Sequence, residues 1–131
     1  MSAARPFFDT NVLLYLLSVD AKADKAEALL TGGGVVSVQV LNEFVSVAFR
    51  KLKMSWQEIR DVLATIRAIC EVVPVTVEIH ETGLAIAERY GLSIYDSLIL
   101  AAAKQAGCRM VYSEDMQDGQ AVQGVTIRNP F

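Results

Sequence analysis

Four acidic residues hold most of the chemical potential of this chain: Asp9 in "RPFFDTNVLLYLL", Glu43 in "LNEF", Asp96 in "SIYDSLILAAAKQAG" and Asp115 in "VYSEDMQDG". Each has an ordinary structural role open to it. Asp9 can N-cap a helix, Asp115 can turn a loop, Glu43 can sit on a solvated face, and Asp96 can close a capping box with Ser93. Brought together they ask for more, because clustered carboxylates raise one another's pKa unless a cation neutralises them. Oxygen donors without thiolate or imidazole partners favour hard cations, Mg²⁺ or Mn²⁺, over zinc. The single histidine, His80, lies in a helical stretch between Glu78 and Glu81 and is read as a surface or partly buried residue, not a ligand.

The elements that must position these acids follow from the apolar spacing. A short strand, Arg5 to Phe8, leads at once into a helical pattern of Val12, Leu13, Leu16 and Leu17, which places Asp9 at a strand's C-terminal end. A second helix, Ala21 to Leu30, stops at "TGGG", which opens the strand "VVSV". Ser37 then reads as the N-cap of a long helix. On its apolar face lie Val38, Leu41, Phe44, Val45, Ala48, Phe49 and Leu52; Gln39, Glu43, Ser46 and Arg50 form the polar stripe opposite. The next helix runs from Ser55 to Ile69 with Ser55 and Glu58 spaced as a capping box. A strand "EVVPV", a helix Val77 to Tyr90 stopped by Gly91, a very apolar helix opened by Ser93 and closed by Gly107, and the strands "CRMVYS" and "GVTIRN" complete the chain. Strands alternating with helices and no hairpin signal predict an α/β fold, a three-layer α/β/α sandwich around a central parallel sheet. In such sheets functional residues gather beyond the carboxyl ends of the strands, near the point where strand order reverses.

Composition frames the rest. A chain of 131 residues, 53% hydrophobic and 21% charged, is read as one domain over 1–131, without linker, repeat or low-complexity tail. Its apolar runs are too short for the roughly 20 residues a bilayer crossing needs, and no secretory leader is apparent. A cytoplasmic protein with no membrane contact is expected. Cys70 and Cys108 match no metal spacing and read as reduced core thiols. The net charge of −3 argues against a protein that grips nucleic acid by bulk electrostatics alone. Any such contact must be local, and Arg50, Lys51 and Lys53 in "RKLK" are the candidates, with complementation of a helix C-terminus as the alternative.

In order and spacing, "FFDTN", "LNEF", "IYDSLILAAA" and "VYSEDMQDG" resemble the PIN domain family, over nearly the whole chain and at the length of the VapC-type toxins of toxin–antitoxin pairs. The resemblance implies a PIN-like fold and a ribonuclease whose acids hold Mg²⁺ or Mn²⁺ at the end of a parallel sheet. By position, Asp9, Glu43 and Asp96 match the three most regular acids of the family and Asp115 the more variable fourth. Ser113 matches the small hydroxyl residue two places earlier. Asp118, in the same loop, is placed to share or replace the role of Asp115. Thr10 and Asn11 are read as orienting the carboxylates through short polar side chains. Metal-assisted attack of water on an RNA substrate predicts endonucleolytic cleavage of single-stranded or loop RNA to a 5′ phosphate and a 3′ hydroxyl; the resemblance further implies an antitoxin protein that covers the site, and a homodimer.

Other phosphoryl-transfer families fit less well. A haloacid-dehalogenase-like phosphatase wants a second Asp where Asn11 stands; "TGGG" lacks the Gly-Lys-Ser/Thr of a phosphate-binding loop. A receiver domain needs an acidic pair after the first strand. A PIN-like module that binds a partner protein and is catalytically silent remains the alternative. Tyr95, beside Asp96, has stacking on a base open to it, with packing in the core as the expected role.

Overall fold

The computed structural model describes residues 4–131. Among these, six strands and six helices alternate: β1 (Phe7–Phe8), α1 (Thr10–Tyr15), α2 (Ala21–Thr31), β2 (Gly34–Ser37), α3 (Val38–Arg50), α4 (Trp56–Ile69), β3 (Cys70–Val73), α5 (Val77–Tyr90), α6 (Ile94–Gln105), β4 (Met110–Tyr112), β5 (Ala121–Val122) and β6 (Val125–Arg128). They form one sheet in the order β3-β2-β1-β4-β6-β5. Strand order therefore reverses between β1 and β4: the chain builds outward from β1 through β2 to β3, then returns to add β4 on its other side.

The inner strands are buried on both faces, with Phe7, Phe8, Val35, Val36, Val111 and Ile127 almost fully enclosed. Continuous apolar strands of this kind belong to parallel sheets covered by helices. The helices fall into two packed groups, α1 to α4 and α5 with α6, and flank the sheet as the predicted sandwich requires. On α6 the run Ile99–Ala103 is buried, and α5 approaches it closely at Gly83, where an added Cβ would stand 2.8 Å from Leu98 Cδ2.

Caps set the element boundaries as the sequence predicts. Ser37 Oγ accepts from the Val40 N–H, Ser55 and Glu58 close a reciprocal capping box, and Gly91 ends α5 in the left-handed region at φ 68°. Cys70 and Cys108 are free and buried, and desolvation pushes each thiol up to about 11. No helix among the described residues is long and apolar enough to cross a membrane.

Several expectations need correction. The sheet is not wholly parallel, since β5 pairs antiparallel with β6 across a two-residue turn, Gln123-Gly124, both at positive φ. Such turns are normally marked by Asn-Gly or Asp-Gly, and a glutamine in the first position hides this one. Of the predicted first strand only Phe7 and Phe8 pair; α1 stops at Tyr15, with Leu16 and Leu17 continuing as tight turns onto Leu13 and Leu14. On α3 the buried face is Val40, Phe44 and Ala48, rotated from the predicted one, which leaves Val38 and Phe49 exposed at 41% and 43%, and Leu52, also exposed, falls beyond the helix end at Arg50. Tyr95, expected in the core, is 66% exposed, because it stands in the first turn of α6 ahead of the buried stretch.

Candidate active site

Asp9 follows β1 and caps α1, so strand and helix fix its backbone from both sides. Its N–H donates to Tyr112 O on β4 at 3.0 Å, and its Oδ1 accepts from the Thr10 N–H at 2.7 Å. Parallel pairing of Phe8 with Tyr112 brings Ser113 alongside, and the Ser113 hydroxyl donates to Asp9 Oδ2 at 2.7 Å. Two residues far apart in sequence meet because the strand order reverses there.

Ser113 also organises the loop that follows β4. Its Oγ accepts from the N–H groups of Asp115 and Met116 at 3.2 and 3.3 Å. Asn11 ties this loop to α1: its Nδ2 donates to Asp9 Oδ2 at 3.3 Å and to Asp115 Oδ2 at 3.1 Å, and its Oδ1 accepts from the Glu114 N–H at 3.1 Å. The orienting role expected of Asn11 thus has a geometry, a bridge between two of the acids. Glu114 anchors the loop from the other side by accepting from Tyr15 and pairing with Lys22.

Glu43 lies in the second turn of α3, which begins directly at the end of β2. Thr10 Oγ1 stands 3.5 Å from Glu43 Oε2, a long contact at the limit of a hydrogen bond. A stronger bond comes from Gln39, whose Nε2 donates to Glu43 Oε1 at 2.7 Å and to the backbone carbonyl of Tyr95 at 3.1 Å. Gln39 therefore joins α3 to α6, a role the polar stripe contained but did not announce. Asp96 occupies the first turn of α6. Ser93 Oγ accepts from its N–H at 3.1 Å, yet the reciprocal bond seen in α4 is not formed here, so the Asp96 carboxylate is not spent on a capping box.

Electrostatics mark the site. Asp9 is 5% exposed, and burial pushes its carboxyl up to about 6, opposed by the Ser113 hydroxyl and the Thr10 N–H and reinforced by the charges of Asp115 and Asp96. Asp96 is also raised, by burial first and by Asp115 second. The ion pairs among the described residues are Arg5–Glu71 and Lys22–Glu114, so no basic side chain neutralises Asp9, Glu43, Asp96 or Asp115. Among those residues no three His, Cys, Asp or Glu side chains converge into a ready coordination shell. The acids face one end of the sheet without closing on one another, as mutually repelling charges do. A buried carboxylate with no basic partner, in the field of the further acids Asp115 and Asp96, fits a hard divalent cation.

Asp118 is placed differently, with its Oδ1 accepting from the Asn129 N–H at 2.9 Å, which pins the loop to the C-terminal segment. Beside Glu43 a groove of about 610 Å³ opens between α3 and α6, bordered by Gln39, Asn42, Val75, Leu98 and the exposed Tyr95 ring. Arg50, Lys51 and Lys53 stand exposed at the far end of α3.

Comparison with known proteins is consistent with this architecture. No curated protein sequence matches the chain significantly. Among solved structures it is similar to a Klebsiella pneumoniae toxin–antitoxin complex at 24% identity, covering 96% of this chain and 98% of that one with a TM-score of 0.72. It is similar to VapC20 of Mycobacterium tuberculosis, a sarcin–ricin loop cleaving toxin, at 23% identity over 84% and 89% of the two chains, TM-score 0.68. A DNA-bound VapBC from Salmonella typhimurium matches at 18% identity over 98% and 100%, TM-score 0.73. These likenesses show the shared fold. The PIN domain family itself matches residues 7–118, which span Asp9, Glu43, Asp96, Ser113 and Asp115, and the chain belongs to that family.

Proposed function

We propose that the protein is a cytoplasmic, metal-dependent endoribonuclease, the toxin of a toxin–antitoxin pair, with Asp9, Glu43, Asp96 and Asp115 as its ligand set for Mg²⁺ or Mn²⁺. The observation that supports this most is Asp9: a carboxyl buried at the strand-order reversal, pushed up to about 6, facing two further acids with no basic partner. When bound, a divalent cation supplies neutralisation of the scissile phosphate and acidification of the attacking water. The chain does the positioning. Ser113 and the Thr10 N–H hold the Asp9 carboxylate, Asn11 spans Asp9 and Asp115, and Gln39 holds Glu43 toward α6. Tyr95 presents a ring over the adjoining groove, where an unpaired base can stack.

An antitoxin and a homodimer belong to the same reading. Both need apolar surface, and the chain offers it in a groove of about 380 Å³ lined by Leu16, Leu17, Val62 and Ile69, and in the exposed Val77 and Leu84 of α5. The deciding experiment incubates purified protein with labelled tRNA and ribosomal RNA, including a sarcin–ricin stem-loop, in Mg²⁺ or Mn²⁺, with EDTA and Asp96→Asn as controls. Discrete fragments ending in 5′ phosphate that vanish in both controls support the proposal. A 2′,3′ cyclic phosphate product sinks water attack, and no cleavage with either ion favours the catalytically silent binding module.

A further inference from the structure

The corner where α3 turns into α4 gathers features that the acidic end does not use. Phe49, in the last turn of α3, stacks on Trp56, the first residue of α4, with ring centroids 4.2 Å apart and 15° between the planes. Both rings remain about half exposed. Arg50 and Lys53 share a cleft with Phe49, Lys51 lines the neighbouring cleft with Ser46 and Val47, all three are exposed, and none forms an ion pair among the described residues. The nearby Glu58 is turned back onto Ser55, where it accepts the backbone N–H at 2.9 Å. Arg50 and Lys53 line, with Phe49 and Met54, a cleft of about 440 Å³. Lys53 takes φ 56°, a left-handed turn that glycine adopts at less cost. Arg50 in the last turn of α3 and Lys51 at its C-cap both complement the helix dipole, while Lys53 lies beyond the helix end.

Arg50 lies seven residues beyond Glu43 on the same stripe of α3, two turns and about 10 Å along the axis. A polyanion crossing the acids along this stripe arrives at the corner. We infer that the α3–α4 corner is a second contact for single-stranded RNA, with phosphates held by Arg50, Lys51 and Lys53 and one unstacked base laid on the Phe49–Trp56 pair. The ligand's identity rests on the ribonuclease reading above; the surface argument does not. Exposed aromatics among cations suit bases on a charged backbone. Protein interfaces share the enrichment in Phe, Trp, Met and Arg but are depleted in lysine, so it is the lysines that favour RNA over a protein partner.

Trp56 is the only tryptophan in the chain, so its emission reports directly on stacking. The test titrates the full-length Asp96→Asn protein in EDTA with an unstructured RNA of about 12 nucleotides, a length that spans such sites, following Trp56 emission, and in parallel the anisotropy of a labelled copy. Emission is expected to fall with the same midpoint as anisotropy rises. Trp56→Leu weakens binding about tenfold at fixed salt while Trp56→Phe keeps most of it. Arg50→Gln and Lys53→Gln each reduce the slope of log K against log salt by about 0.7. RNA binding with unchanged emission and unchanged slopes overturns the inference, as does no binding at all. Emission that changes with protein concentration alone assigns the corner to a second copy and overturns it too. Wild-type protein that cleaves nothing yet shows the quench and slope changes would sink the ribonuclease reading and leave the corner standing.

Discussion

Burial drives the Asp9 carboxyl up to about 6, while the Ser113 hydroxyl and Thr10 N–H pull it down. In the unfolded chain the same group titrates near 3.9. Between those values the native state binds more protons than the unfolded one, so Asp9's favourable contribution is present below about pH 4 and lost as pH rises through about 6. The ionised form then costs the fold about 3 kcal/mol at neutral pH. Asp20, Glu58 and Glu114 are shifted the other way, so the wild-type profile alone does not isolate Asp9. Asp9→Asn does: in EDTA, the variant-minus-wild-type difference in urea unfolding free energy is expected to move toward the variant between about pH 4 and 6, by up to about 3 kcal/mol. The variant's lost bond to Ser113 shifts the whole curve by about 1 kcal/mol and leaves its pH trend unaltered. A difference flat across that range would show that Asp9 titrates as an ordinary surface acid. Ser113→Ala tests the support from the opposite side. It removes one donor to Asp9 and the acceptor for two N–H groups, so we expect a loss of about 1–3 kcal/mol in urea and a cleavage rate about 10- to 100-fold lower at saturating RNA.

At the scale of elements, two glycines show where packing is rigid and where it can give. A Cβ on Gly34 would stand 2.3 Å from Phe8 Cε2 and 2.7 Å from Pro6 O, and that carbonyl is held by the Val35 N–H at 2.9 Å. The carbonyl cannot retreat without parting β1 from β2, and the Phe8 ring is fully buried. Gly34→Ala is expected to cost about 3 kcal/mol or more. The overlap at Gly83 is with the end of the Leu98 side chain, which can rotate, and alanine gains about 1 kcal/mol over glycine inside a helix. Gly83→Ala should therefore stay within about 1 kcal/mol of wild type, and urea midpoints compare the pair; equal losses would mean that Leu98 is locked at the α5–α6 contact. What was legible in the sequence divides along similar lines. Caps at Ser37, Ser55 with Glu58, Ser93 and Gly91 act over a few residues and are written in local residue types. The Gln123-Gly124 turn is equally local, but glutamine is a poor marker for positive φ. The bridge from Ser113 to Asp9 spans 104 positions and exists only once β4 lies beside β1, so the motifs could nominate both residues and not their bond. Gln39 divides between the two cases: its spacing to Glu43 is one helical turn, whereas its bond to the Tyr95 carbonyl needs α6 in place.

At the scale of the whole molecule, unneutralised acids stand at the strand-order reversal and three unpaired cations at the α3–α4 corner, inside a net charge of −3. An ion that binds only the native acids must raise the stability of the entire domain. At a hundred times its dissociation constant that gain is about 2.7 kcal/mol, which for a chain of this length corresponds to a Tm rise of about 10 °C. Protons compete for the same oxygens, and with Asp9 half-ionised at about pH 6 the rise should be larger at pH 7.5 than at pH 5. Differential scanning fluorimetry with Mn²⁺ reads this without requiring any RNA. Asp9→Asn is expected to abolish the rise. Asp118→Asn is expected to retain it, because that carboxylate already holds the Asn129 N–H. Arg50→Gln should retain it as well, since the corner belongs to the other end of α3. A rise that survives in Asp9→Asn would place the bound ion away from the sheet's end, and a rise lost in Asp118→Asn would return that residue to the ligand set in spite of its bond to the C-terminal segment.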